Sequence, residues 1–245
     1  MKLHRILLII PTFQELENVK ILLAAIQNSK LDYSVLFIDD SSPDGTGELI
    51  RQASKEDSRI FLISRSGKLG VASAFILGFK FAIENDFGWA ACMDADLSHR
   101  LVDFELVIAS DLDKNVSLYI GSRYVNNGKV DGVEYSRRAL SILGNFVARI
   151  ALRTNILDVT GGFRIYRVSV LSSMDFSKLS LGGYGFQLQI LKHFLERHLI
   201  IIEFPITFLA RTYGVSKMKA QTIFEVLMIT FRIGLEIRFS RWFTK

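Results

Sequence analysis

The sequence predicts an α/β fold: a Rossmann-like, mostly parallel sheet flanked by helices, closed by C-terminal amphipathic helices. Three observations carry this. Short apolar runs alternate with segments of helical spacing through residue 120, the pattern of a parallel sheet covered on both faces. Polar clusters follow three of those runs, at Pro11 to Glu15, Asp39 to Thr46 and Asp94 to His99, where open α/β sheets bind ligands. Beyond Gly121 the alternation gives way to longer amphipathic segments.

Ile6 to Ile10 is continuously apolar, as in a strand buried on both faces. Glu15 to Asn28 carries helical spacing through Val19, Leu22, Leu23 and Ile26. Tyr33 to Ile38 is a second strand ending at Asp39 and Asp40. Gly45 to Ala53 is a helix with Asp44 in the N-cap position, and Ile60 to Ile63 a third strand. Leu69 to Asn85 is a long apolar helix, Trp89 to Met93 a fourth strand, Val102 to Leu112 a helix and Leu118 to Ile120 a fifth strand. Arg137 to Leu152 is amphipathic and helical, and Gly161-Gly162 marks a turn or close approach. Tyr184 to His198 is helical, Leu199 to Phe204 strand-like, and Ala210 to Lys219 a loop before the last helix. The expected division is a catalytic domain over 1–219 and an amphipathic helix over 220–245, whose apolar stripe of Ile223, Phe224, Leu227, Phe231 and Leu235 suits core packing, a subunit contact or a membrane surface.

The 245 residues suit one such domain, and 49% hydrophobic against 22% charged residues excludes disorder. A mean hydropathy of +0.27 and 19 Phe imply either a Phe-rich core or an apolar surface turned to a membrane. Net charge of +5 suits phosphate-bearing partners or an anionic surface and is too small to argue for nucleic acid. The lone Cys92 excludes a disulfide framework. The apolar run at Ile6 is too short for a signal peptide, which points to the cytoplasmic side of a membrane. Thr222 to Phe243 is broken by Glu225, Arg232, Glu236, Arg238 and Arg241, so it reads as a helix lying on a surface rather than crossing a bilayer.

In Asp94-Ala95-Asp96, residues two apart in an extended segment face the same way. Crowded carboxylates repel unless a cation sits between them, and Mg²⁺ or Mn²⁺ held by few carboxylates plus substrate phosphates suits such a pair. A solvated turn capping the next helix uses the same residues. Asp40, ending the second strand, can accept hydrogen bonds from a base or ribose, while Pro43-Asp44-Gly45 favours a tight turn. Gly67-Lys68-Leu69-Gly70 lacks Walker spacing and suits chain reversal better than phosphate cradling. Arg123, and Arg137 and Arg138 with Ser141 one turn on, offer phosphate-pairing forks; cations on a helix are otherwise simply solvated. Arg211 to Lys217 is a basic glycine-containing loop that can close over a phosphate-rich substrate or serve as an ordinary connection. His193 and His198 share no helix face, and no Gly-x-Ser-x-Gly elbow is present.

Taken in order, Pro11-Thr12-Phe13-Gln14-Glu15, Asp39 through Thr46, Gly67 through Gly70, Met93 through His99, Gly121 through Tyr124, Gly162-Phe163-Arg164, Gly183 through Gln187 and Arg211 through Lys217 resemble the family-2 inverting glycosyltransferases of GT-A fold, in particular those acting on dolichyl and other polyprenyl phosphates. The resemblance implies transfer of mannose from GDP-mannose to the lipid phosphate with inversion. It implies that Pro11, Phe13, Glu15, Ile38 and Asp40 hold the nucleoside, with the Ala95 backbone near the nucleotide. Asp94, Asp96 and Ser98 would bind Mg²⁺ or Mn²⁺. Arg123, Arg137 and Ser141 would hold the lipid phosphate, and Arg211 and Lys217 would close on the donor, leaving Asp96 and Arg123 as the catalytic pair. Expected partners are the nucleotide-sugar, the polyprenyl phosphate, a membrane surface, and small membrane subunits or a second copy. Gln14, Arg100-Leu101, Gly161 and Gln189 depart from the family pattern of Asn, His-Pro, Ser and Glu. The rivals are a transferase using UDP-glucose or another UDP-sugar and a non-catalytic nucleotide-binding subunit. A hydroxyl acceptor would need a carboxylate base; no second acidic motif clearly supplies one and the Gln189 substitution removes a candidate, while a non-catalytic chain would require inactive substitutions at the metal site, where Asp94 and Asp96 are both present.

Overall fold

A computed structural model describes residues 5–179, 185–211 and 228–236. The elements are β1 (Ile6–Thr12), α1 (Leu16–Asn28), β2 (Ser34–Asp39), α2 (Thr46–Glu56), β3 (Ile60–Ser64), α3 (Val71–Glu84), β4 (Trp89–Cys92), α4 (Leu101–Ala109), β5 (Leu118–Ser122), β6 (Lys129–Asp131), α5 (Tyr135–Leu152), β7 (Arg164–Arg167), α6 (Val168–Leu171), α7 (Gly185–Glu196), β8 (Ile201–Pro205) and β9 (Thr207–Leu209). Residues 228–236 are helical. Seven strands form one sheet in the order β3-β2-β1-β4-β7-β5-β8, parallel throughout except β7, which runs antiparallel to both β4 and β5.

The continuous apolar run of β1 is explained by helices on both sides. Ile6, Leu8 and Ile10 pack with Val19, Leu22 and Ile26 of α1, Ile50 of α2 and Phe104 of α4. Leu7 and Ile9 pack on the opposite face with Phe75 and Phe79 of α3 and Phe186, Ile190 and Phe194 of α7. Fully burying each such side chain is worth about 1.5–3 kcal/mol relative to leaving it in water, so both apolar layers fix the register of the central strands. Most phenylalanines belong to these layers, as the core reading expected. A run of exposed apolar side chains lies on α5, at Leu140, Leu143, Phe146, Val147 and Ile150.

The alternation that predicts a parallel sheet has no place for β7. Only four residues long, Arg-Ile-Tyr-Arg has cations at both ends and reads as loop. Arg164 is nonetheless 0% exposed, because its guanidinium donates to the carbonyls of Gly161, Gln187 and Val159. β6 and β9, three residues each, pair in a second small sheet and are too short to show a strand period in the sequence. Gly45, with φ of +90°, rather than Asp44, occupies the N-cap position of α2. The Asp44 carboxylate still accepts from the Thr46 N–H and, across the cleft, from the Leu16 N–H. Of the C-terminal stripe, Ile223, Phe224 and Leu227 lie outside the described residues; Phe231 and Leu235 are exposed. Among the described residues no helix is long and apolar enough to cross a membrane.

Candidate active site

Three of the sequence's polar clusters stand side by side. Pro11 pairs with Ile38 and Thr12 with Asp39 across β1 and β2. Asp40 continues that ladder through its N–H to Thr12 O, 3.1 Å, and on the other flank Met93 N donates to Ile9 O, 3.1 Å. The carboxyl ends of β2, β1 and β4 therefore place Asp40, Phe13 with Glu15, and Asp94 with Asp96 along one rim, the location where open α/β sheets bind ligands.

On the β2 side the Asp40 carboxylate is already engaged. Arg65 Nε donates to it at 2.6 Å and Leu69 N at 3.2 Å. Arg65 is the partner that sequence reasoning missed; the strand register, with Asp39 opposite Ser64, is what brings it alongside. The Gly67-to-Gly70 segment turns the chain, with Gly70 at φ +90°, and lays the Lys68 ammonium 4.7 Å over the Phe13 ring. Glu15 is nearly buried and accepts from Asn18 Nδ2 at 2.6 Å.

At the end of β4, Ala95 and Asp96 are buried. Asp96 Oδ1 accepts the Ser98 N–H at 3.0 Å and Oδ2 pairs with Arg211 Nε at 2.6 Å. β9 delivers Arg211: Leu209 N donates to Ser98 O and Phe208 bridges to His99, so the chain runs beside the acidic loop. Burial first, then the Asp96 charge and Glu15, push the Asp94 carboxyl up to about 7, against the opposing pull of Arg211. A carboxyl held near half ionisation at neutral pH, beside an ionisable neighbour two residues away, is the donor set that a hard divalent cation relieves. The residues present fit such an ion. Among the described residues no third carboxylate, histidine or cysteine completes a cage, so the remaining coordination would fall to the Ser98 hydroxyl and to substrate phosphates. Ser98 itself is buried.

Arg123, after β5, is held from several directions. Its Nε donates to Asp158 Oδ2 and Nη2 to Asp158 Oδ1, both at 2.8 Å. Nη1 donates to Ser141 Oγ on α5 at 3.3 Å. Burial disfavours the guanidinium charge, but the Asp158 hydrogen bonds and charge outweigh it and leave the pKa above the usual arginine value. Arg123, Tyr124, Lys129, Arg138 and Thr207 line a cavity of about 300 Å³. Arg138, rather than Arg137, is the α5 cation on that lining; the Arg137 side chain is exposed on the first turn. The two halves of the site meet through His99 and Phe208. The His99 ring lies 5.4 Å from that of Phe208, and the Arg123 guanidinium carbon is 5.5 Å over the same Phe208 ring. Burial drives the His99 pKa down to about 4, so this bridge is neutral at physiological pH. Lys217 lies outside the described residues.

A nucleotide-type rim, an acidic pair and an arginine-lined cavity on this sheet define a glycosyltransferase of GT-A architecture. The glycosyl transferase family 2 domain matches residues 7–174, and the chain belongs to that family. It is 34% identical over 236 residues to an undecaprenyl-phosphate mannosyltransferase of Micrococcus luteus, covering 96% of each chain. It is 34% identical to a polyprenol monophosphomannose synthase of Mycolicibacterium smegmatis, over 97% of this chain and 90% of that one. The fold is shared with the glucosyl-3-phosphoglycerate synthase of Mycobacterium tuberculosis, solved with Mn²⁺, UDP-glucose and phosphoglyceric acid. The TM-score is 0.65 at 14% identity, covering 94% of this chain and 80% of that one.

Proposed function

We propose that the enzyme transfers mannose from GDP-mannose to a polyprenyl phosphate, with inversion, at a membrane surface. The observation that carries this reading is the contiguity of the acidic pair with the Arg123 cavity, through His99 and Phe208. A donor diphosphate anchored at Asp94 and Asp96 and an acceptor phosphate beside Arg123 would then be neighbours. The Micrococcus and Mycolicibacterium relatives support the lipid acceptor and the mannosyl group. Pro11, Phe13, Glu15, Ile38, Asp40 and the Ala95 backbone would hold the nucleoside. Asp94, Asp96 and Ser98 would hold Mg²⁺ or Mn²⁺, whose bound charge supplies Lewis-acid stabilisation to the departing diphosphate. Arg211, already on Asp96, would swing to the donor phosphates together with Lys217. Arg123 and Ser141 would orient the acceptor, with Arg138 taking the place expected of Arg137. A phosphate monoester, with a second pKa of about 6, reaches the site largely ionised and needs no general base. Positioning and electrostatics would supply most of the rate.

The exposed apolar side of α5 supports a membrane-facing role. Leu143, Phe146 and Ile150 project from the helix whose Ser141 touches Arg123, and the exposed Arg137 and Arg138 add cations for an anionic leaflet. Residues 1–219 would then be the catalytic domain and 220–245 a second surface-lying helix. The testing experiment offers GDP-mannose with Mn²⁺ to polyprenyl phosphate and to the matching polyprenol. Label on the phosphate alone is the expected result; label on the alcohol, or on neither, would reject the acceptor assignment.

A further inference from the structure

Asp158 is 0% exposed and lies in the turn between α5 and β7. This segment has no regular structure, yet its backbone polar groups are taken by side chains from three different elements. Glu203 on β8 accepts from Leu157 N at 2.7 Å and from Asp158 N at 2.8 Å, one carboxylate oxygen each. Asn145 on α5 accepts from Val159 N at 2.9 Å and donates to Leu157 O. Arg164 on β7 donates to Val159 O at 2.6 Å. Buried backbone groups must find partners, but turns ordinarily find them within themselves or in water. Here the partners are side chains carried by β8, α5 and β7, so the segment is fixed relative to all three elements together.

What this frame presents is the Asp158 carboxylate. It takes the Nε–Nη2 edge of Arg123 in a fork and also accepts the Arg123 N–H at 3.0 Å. Thr160 accepts a further bond from Nη2 at 3.2 Å. The edge left to a ligand is Nη1, the nitrogen that donates to Ser141. A bidentate fork sets the plane of a guanidinium as well as its distance, so a small rotation of Asp158 would turn that edge away from the cavity.

We propose that Glu203 and Asn145 are positioning residues for the acceptor phosphate: they touch no substrate, and by clamping 157–159 they aim Arg123 through Asp158. The inference rests on the reading of Arg123 as the acceptor-phosphate ligand, and its test has one readout independent of that reading. In Glu203→Gln the amide can accept only one of the two N–H bonds and sets a donor against the other. A lost charged clamp predicts a rise of roughly tenfold in KM for polyprenyl phosphate, with kcat within about twofold and the affinity for the donor's nucleoside diphosphate unchanged. The second readout is the ¹⁵Nε–H resonance of Arg123, which should exchange faster with solvent in the variant. Asn145→Ser, a milder cut in the same clamp, should move both in the same direction and decides the matter if Glu203→Gln does not melt cooperatively. An unchanged Arg123 resonance, or acceptor and donor affinities falling together, would overturn the proposal. Failure of the wild-type enzyme to use any lipid phosphate would refute the acceptor reading instead, and the resonance would still decide the clamp.

Discussion

Replacing Asp94 with asparagine should make the metal-free enzyme more stable at pH 8 while abolishing transfer. The folded protein holds this carboxyl at about 7, against an ordinary value of 3.8, because desolvation and the neighbouring Asp96 charge disfavour its ionised form. The folded state thus favours the protonated form. The contribution to stability is full below about pH 4 and is lost as pH rises through 7, where the folded state must carry the charge. The shift corresponds to roughly 4 kcal/mol for a rigid site, and about half of that once Arg211 and water rearrange toward the charge. Urea unfolding in chelator should therefore find wild type and Asp94→Asn alike only below about pH 4, with the variant drawing ahead through pH 5 and 6 and leading by about 2–4 kcal/mol at pH 8. Saturating Mn²⁺ should reverse the order at pH 8, since only the wild-type pair gains a counter-ion. A variant no more stable than wild type at pH 8 in chelator would refute the argument that the two carboxylates are frustrated without a cation.

Asp96→Ala should abolish transfer without unfolding the chain, as read by product formation and near-ultraviolet circular dichroism at saturating metal. Arg123→Lys should raise the KM for lipid phosphate more than it weakens nucleotide binding in calorimetry, because a lysine cannot reproduce the fork to Asp158. Gly128→Ala would place a Cβ 2.6 Å from Ser122 O and 2.8 Å from the Arg123 carbonyl carbon. That backbone clash should cost about 1–3 kcal/mol in denaturant unfolding and disturb the loop that carries Arg123. Phe146→Glu, at an exposed α5 position, should leave unfolding within about 0.5 kcal/mol of wild type while reducing flotation with anionic vesicles. Undiminished flotation would remove α5 from the membrane contact.

The parts of this enzyme that sequence makes plain are those set by local periodicity and by position at strand ends. The β1 run, the α1 spacing and the acidic residues after β2 and β4 announce both layers of the core and the donor rim, because a doubly covered parallel strand tolerates little but apolar residues and its carboxyl end carries the chemistry. What stayed hidden depends on long-range partners. β7 reads as loop because Arg164 looks solvated until the Gly161, Gln187 and Val159 carbonyls close around it. Arg65 gains meaning only from the β2–β3 register, and Asp158 only from the fold that brings it to Arg123, 35 residues earlier in the chain. Arg137 and Arg138 are neighbours in sequence, and only the helix geometry shows that Arg138 is the one lining the cavity.

The most direct test of the account incubates the purified chain with radiolabelled GDP-mannose, polyprenyl phosphate and Mn²⁺, and follows label into lipid alongside a chelated control and Asp96→Ala. The account predicts a mannosyl lipid phosphate of inverted anomeric configuration, formed only by the metal-loaded wild-type enzyme. Equal product in chelator, or product with the donor's configuration retained, would contradict it.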